Sequence, residues 1–180
     1  MKRFTHIIIG MIAVLAIASC NKEKSLQQYL VEKQDDNAFV KLDISSGILK
    51  TEDITLSPEE QEILETVKKI NVVAFPLKEE NQSEFELNIT ELKQILKQDR
   101  YKTLVKFGSS GTEVVLKYTG EVDKIDELIV FASNSKKGFA VFRLLGDNMK
   151  PDKMVTLLKR VEKGDIDTSK LKSIGEIFDL

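Results

Sequence analysis

Four strand-patterned runs follow one another between Leu104 and Leu145: Leu104–Phe107, Glu113–Tyr118, Leu128–Phe131 and Phe139–Leu145. They are joined by GSSG (Gly108–Gly111), GEVDKIDE (Gly120–Glu127) and SNSKKG (Ser133–Gly138). Parallel neighbours need a crossover of about a dozen residues or more, usually a helix, whereas antiparallel neighbours need only a turn. Loops this short therefore predict an antiparallel meander. That one feature commits the second half of the chain to a sheet.

Two upstream runs extend it. Val40, Leu42 and Ile44 alternate with Lys41 and Asp43, the period-two pattern of a half-buried strand. Ile70 to Phe75 is continuous and rich in β-branched residues, and Pro76 stops it. Helical patterns separate these runs. Leu26, Tyr29 and Leu30 predict a first helix over about Ser25–Asp36. At Ser57-Pro58-Glu59-Glu60, the serine and Glu60 suit a capping box and the proline suits the first helical position. Ile63, Leu64, Val67 and Ile70 then form one stripe. Ser83 and Glu86 suggest a second capping box, followed by Phe85, Ile89, Leu92, Ile95 and Leu96. A polar turn, Asp147 to Pro151, opens a last helix through Met154, Val155, Leu158 and Val161, with Gly164 at its end. The stretch 45–53 is a turn or a short helix. The resulting order is α-β-α-β-α-β-β-β-β-α. It predicts an α+β fold: a single mixed, largely antiparallel sheet of about six strands, with helices packed mainly on one face.

The start of the chain has a different character. Lys2 and Arg3 precede an apolar run, Ile7 to Ala18, which is shorter than the roughly 18–20 residues of a bilayer span. Ile17-Ala18-Ser19-Cys20 resembles the bacterial lipobox. By that reading residues 1–19 form a cleaved signal peptide, with the cut between Ser19 and Cys20. Cys20 carries the acyl chains, residues 20–24 are the lipidated tether, 25–162 the folded domain and 163–180 a polar tail that docks as a short helix or stays loose. Each buried methylene contributes about 0.8 kcal/mol, and one acyl chain alone holds only reversibly. Two or three chains would make attachment lasting. The implied location is the bacterial cell envelope, in the outer membrane or alternatively the inner membrane, with the domain outside the cytoplasm.

Such a cut also removes Lys2, Arg3 and His6, the only histidine, and it commits the only cysteine to lipid. The remaining chain has neither histidine nor free thiol, which excludes Ser-His-Asp and Cys-His catalysis, histidine zinc sites and disulfides. Its charge is mildly negative, with 29 acidic residues against 27 basic ones less the two removed. Nucleic-acid binding requires a basic footprint, so that partner class is set aside. About 160 residues suit one domain with a full core.

Three stretches resemble bacterial envelope lipoproteins carrying domain of unknown function 4252: Phe39–Ser45, Val67–Val73, and Glu127–Val130 with Phe139–Asp147 and the helix after it. The resemblance covers roughly residues 25–162. It implies a secreted one-domain lipoprotein, and it transfers no activity and no functional residue.

The residues themselves offer several candidate chemistries. Asp165, Asp167 and Ser169 begin like a calcium loop, with Glu176 at the twelfth position. Lys170 stands where that loop needs glycine, and Lys172 adds repulsive charge. Ser133 and Lys136 have a nucleophile-to-lysine spacing, but between strands rather than on a helix. Asp123, Asp126 and Glu127 suit a carboxylate acid–base pair, although loop placement predicts solvation. A pocket joining Asp123 to Asp147 or Glu113 would support that chemistry. Asp147 and Asp152, beside Asn148 and Pro151, suit a helix cap. Gly108–Gly111 has the composition of a phosphate cradle but lacks the lysine and helix that should follow. Tyr101, Phe107, Tyr118, Phe131, Phe139 and Phe142 should mostly be core, and any exposed on an uncovered sheet face would mark a partner site. No cofactor is implied. The expected function is a non-catalytic binding or interaction module with an unknown protein or small-molecule partner, held to the membrane through Cys20. An envelope hydrolase using carboxylates or a Ser-Lys pair, and a purely structural protein, are the alternatives.

Overall fold

A computed structural model describes residues 23–45, 57–109 and 111–155. The elements are α1 (Leu26–Glu32), β1 (Val40–Ser45), α2 (Pro58–Thr66), β2 (Val67–Pro76), a short 3-10 turn (Glu79–Asn81), α3 (Gln82–Leu96), β3 (Lys102–Ser109), β4 (Thr112–Glu121), β5 (Lys124–Asn134) and β6 (Gly138–Met149). Residues 151–155 open a further helix. The strands form one open six-stranded sheet in the order β1-β2-β6-β5-β4-β3.

The α+β sheet expected from the sequence is borne out, with two details changed. Every strand pair is antiparallel. The chain leaves β2 and crosses the sheet through α3 to its far edge, so β3 runs in the same direction as β2 without touching it. Three hairpins then bring β6 back against β2 in the opposite sense. Helices also stand on both faces. Val73 and Phe75 of β2, Ile129 and Phe131 of β5, and Phe139 and Val141 of β6 pack with Leu26 and Tyr29 of α1 and Phe85, Leu92, Ile95 and Leu96 of α3. On the opposite face, Leu128, Leu144 and Tyr118 pack with Ile63 and Leu64 of α2 and with Met154. Continuous apolar runs such as Val72–Phe75 offer a greasy side chain to each face, and such strands are stable only when both faces are covered.

The first core is dominated by rings. Phe75 stacks on Phe139 with centroids 5.6 Å apart, and Phe39 meets Phe75 edge-on at 5.0 Å. The tight return between β5 and β6 makes this closeness possible. Gly138 has φ +121°, and a Cβ there would lie 2.0 Å from the Phe75 carbonyl oxygen. Only glycine fits both conditions.

Helix starts differ from the sequence expectation in two places. Ser25 and Gln28 form a reciprocal capping box at α1, which the sequence reading did not single out. The Ser83–Glu86 box does not form, because the 3-10 turn leads directly into α3 and puts its start at Gln82. The α2 helix begins at Pro58 as expected. Among the described residues no helix is long and apolar enough to cross a membrane. Ser19 and Cys20, residues 46–53 of the 45–53 stretch, and the calcium-loop candidates Asp165, Asp167, Ser169 and Glu176 lie outside the described residues.

Candidate binding groove

The α1-covered face changes character along its strands. On β2, Phe75 and Val73 are followed, two residues at a time, by Asn71 and Lys69. On β6, Phe139 and Val141 are followed by Arg143. On β5, reading backwards, Phe131 and Ile129 are followed by Glu127. The strand register then aligns these polar residues: Asp43 lies opposite Asn71, Asn71 opposite Arg143, and Thr119 opposite Glu127. A polar band thus crosses five strands where the aromatic core ends.

The band is bonded internally. Asn71 Nδ2 donates to Asp43 Oδ1 at 2.5 Å, and Lys69 Nζ pairs with Asp43 Oδ2 at 2.9 Å. Burial works to raise the Asp43 pKa, but the Asn71 amide and the Lys69 ammonium outweigh it and hold the carboxyl below its ordinary value. Arg143 Nε donates to Glu127 Oε1, and its Nη1 donates to Gln27 Oε1 on α1. The Arg143 and Glu127 side chains are only 9% and 11% exposed. Thr119 Oγ1 donates to the other Glu127 oxygen at 3.5 Å. A buried ion pair adds little net stability over apolar packing, yet losing one partner costs several kcal/mol. Its burial is therefore a constraint the fold carries, not a source of strength.

Between α1 and the β1–β2 edge this band opens to solvent as a groove of about 340 Å³. Asp43, Lys69 and Asn71 form its polar side, with Gln27 at the helix. Leu30 and Val31 of α1 and Val73 of β2 supply an apolar wall. Lys41 is held at the rim, its Nζ donating to the Gln34 and Asp36 carbonyls at 2.9 and 2.8 Å. Concavity and a few fixed polar groups are features of ligand pockets, and this groove has both, with a lining more polar than most.

The residues singled out by sequence do not assemble into one centre. Ser133 is buried on β5, opposite Phe139, while Lys136 is exposed in the following turn. Glu113 sits at the start of β4, paired with Lys106 at 2.6 Å and Lys93 at 3.3 Å. These lysines, the Lys106 bond first, hold its pKa below the ordinary carboxylate value against the effect of burial. Asp123 lies beyond the other end of β4, about 30 Å away along the strand direction. Asp147 belongs to β6 rather than to a helix cap, because β6 extends to Met149, and it pairs with Lys68 of β2. Asn148 beside it has φ +54°, and Asp152 lies in the helical segment 151–155. Gly108 and Ser109 are the last residues of β3, paired with Glu113 and Thr112 of β4, and Gly111 directly precedes β4. The expected loop placement of the 123–127 carboxylates is corrected: the turn is only Val122–Asp123, Asp126 is an exposed strand residue, and Glu127 is the buried partner of Arg143. Among the described residues no three acidic side chains gather as metal donors. Of the aromatics, Tyr101, Tyr118, Phe131 and Phe139 are core and Phe142 is half-buried. Phe107 is 56% exposed on edge strand β3, with Val105 also exposed.

Residues 29–157, well over half of the chain, match the family model described as domain of unknown function DUF4252. The chain belongs to this family. No curated protein and no solved structure matches it. The DUF4252 region runs from Tyr29 of α1 through the segment after β6, so it contains the whole polar band except Gln27.

Proposed function

We propose that this DUF4252 protein is a lipid-anchored bacterial cell-envelope protein whose domain acts as a non-catalytic binding module, with the α1/β1–β2 groove as its binding site. The carrying observation is the groove itself: Asp43, Lys69 and Asn71 are fixed by one another beside an apolar wall. Groups already bonded into place lose little freedom when a ligand arrives. The lipobox Ile17–Cys20 supports the anchor, with acyl chains on Cys20 and cleavage after Ser19. The burial of Ser133 on β5 while Lys136 is exposed in the turn, and the placing of Glu113 and Asp123 at opposite ends of β4, support binding over hydrolysis.

Two measurements test the two halves of this reading. Mass analysis of the mature N-terminus should find diacylated Cys20, and an unmodified Cys20 or a cut elsewhere contradicts the anchor. A photo-crosslinking residue placed at Val31, on the groove rim, should capture a partner in intact cells. The same residue at Leu87, exposed on α3 away from the groove, should not. Equal capture at both positions, or none at Val31, contradicts the groove.

A further inference from the structure

The chain entering the domain is fastened unusually early. The Leu26 amide donates to the buried Tyr101 hydroxyl at 2.8 Å. Gln98 Nε2 donates to the Lys24 carbonyl at 2.8 Å, and Arg100 Nη2 donates to the carbonyls of Lys24 and Glu23 at 3.2 and 3.4 Å. Lys24 Nζ bonds Glu91 at 2.5 Å and also reaches Glu32. Burial alone would lower the Lys24 pKa, but these two carboxylates raise it and keep the ammonium charged. The backbone is thus pinned from Lys24 onward by the segment that follows α3.

Resting on the lipid-anchor reading above, this clamp fixes a distance. Four residue steps separate Cys20 from Lys24, and fully extended they span about 14 Å. An acylated cysteine sits at the edge of the hydrocarbon, and the headgroup layer above it takes about 5–7 Å. What remains is less than the 10–12 Å diameter of one helix. We infer that the corner formed by the start of α1 and residues Gln98–Lys102 is an interaction surface for the phospholipid headgroup layer, held against it by the short tether. Lys97, Asp99, Arg100 and Lys102 are exposed there. No second protein layer fits between this corner and the bilayer. The opposite end of the strands points elsewhere. Lys102 is level with Tyr118 and Leu128, and Asn134, where the β5–β6 turn begins, lies about 20 Å further along β5.

The test uses the absence of tryptophan from the chain, which makes any introduced one a unique reporter. Asp99→Trp and Lys136→Trp variants of the full chain are purified from membranes and returned to phosphatidylcholine vesicles containing a dansyl-headgroup lipid. Mass analysis of each sample records the state of Cys20. In acylated protein, energy transfer from Asp99→Trp should be at least about twofold that from Lys136→Trp, given the tether's reach. Inserting about twelve Gly/Ser residues after Glu23 adds a flexible span of roughly 20 Å and should erase the difference. Equal or reversed transfer in acylated protein overturns the inference while leaving the anchor intact. A difference that survives the insertion overturns the tether as its cause. A sample without acyl chains on Cys20 overturns the anchor, and the inference with it.

Discussion

Two halves of the same sheet face use neighbouring residues of the same strands for opposite ends. The half nearer Gly138 closes with Phe39, Phe75, Phe85, Phe131 and Phe139, all nearly inaccessible to solvent. The other half, two or four residues further along each strand, is built from Asp43, Asn71, Arg143 and Glu127. The first half gains from area removed from water and from ring–ring contacts. The second gains little, because Asp43 stays exposed and the buried Arg143 and Glu127 must first lose their hydration. A chain selected for stability alone would continue the aromatic half. That it does not is the reason for placing stability in one half and recognition in the other.

The largest expected effect breaks the apolar half. Phe139→Ala removes the ring that touches Phe39, Phe75, Phe85 and Phe131. It should cost about 3–5 kcal/mol by denaturant unfolding. Leu128→Ala, in the core of the opposite face, should cost about 2–5 kcal/mol in the same measurement. A loss below 1 kcal/mol at both positions would contradict the core assignment. In the polar half, Glu127→Ala should cost about 3 kcal/mol or more because it strands the buried Arg143 guanidinium. Replacing the pair together, Glu127→Leu with Arg143→Met, should restore stability to within about 1 kcal/mol of the parent. If the double variant is as unstable as the single one, the pair contributes strength after all.

The smallest effect is in the pH dependence. Asp43 and Glu113 have pKa values below their unfolded values, so each contributes stability that is present above the unfolded value near 4. That contribution disappears as pH falls through the lowered folded values. Carboxyl NMR titration should show both groups titrating late on acidification, and Asn71→Ala should move Asp43 upward while leaving Glu113 unchanged. A shift of both, or neither, would contradict the bonding assigned to Asp43.

The sheet was legible from local patterns because burial repeats every two residues along a strand. Val40, Leu42 and Ile44, and the runs around Phe75 and Phe139, announce themselves without knowledge of their neighbours. The polar band was not legible, for two physical reasons. It exists only through register: Asn71 and Arg143 are 72 positions apart in the chain and meet because β2 pairs with β6. It is also hidden by irregularity. Register shifts between Thr119 and Gly120 and between Ile125 and Glu127 break the alternation where β5 begins. Gly120–Glu127 therefore reads as a polar loop, and its one buried carboxylate as a solvated one. The α1 capping box was present in Ser25 and Gln28, three residues apart, and a systematic search for that spacing would have found it.

Crosslinking from Val31 in cells expressing the Glu127→Leu/Arg143→Met protein tests the division between the two halves most directly. The pair does not line the groove, but Arg143 bonds Gln27 and lies opposite Asn71, which both do. With folding confirmed by a cooperative melting transition within a few degrees of the parent's, the account predicts that the Val31 adduct seen in the parent is lost. An adduct of parental yield in the folded double variant would contradict it, because recognition would then not depend on the Arg143–Glu127 pair that holds Gln27 at the groove.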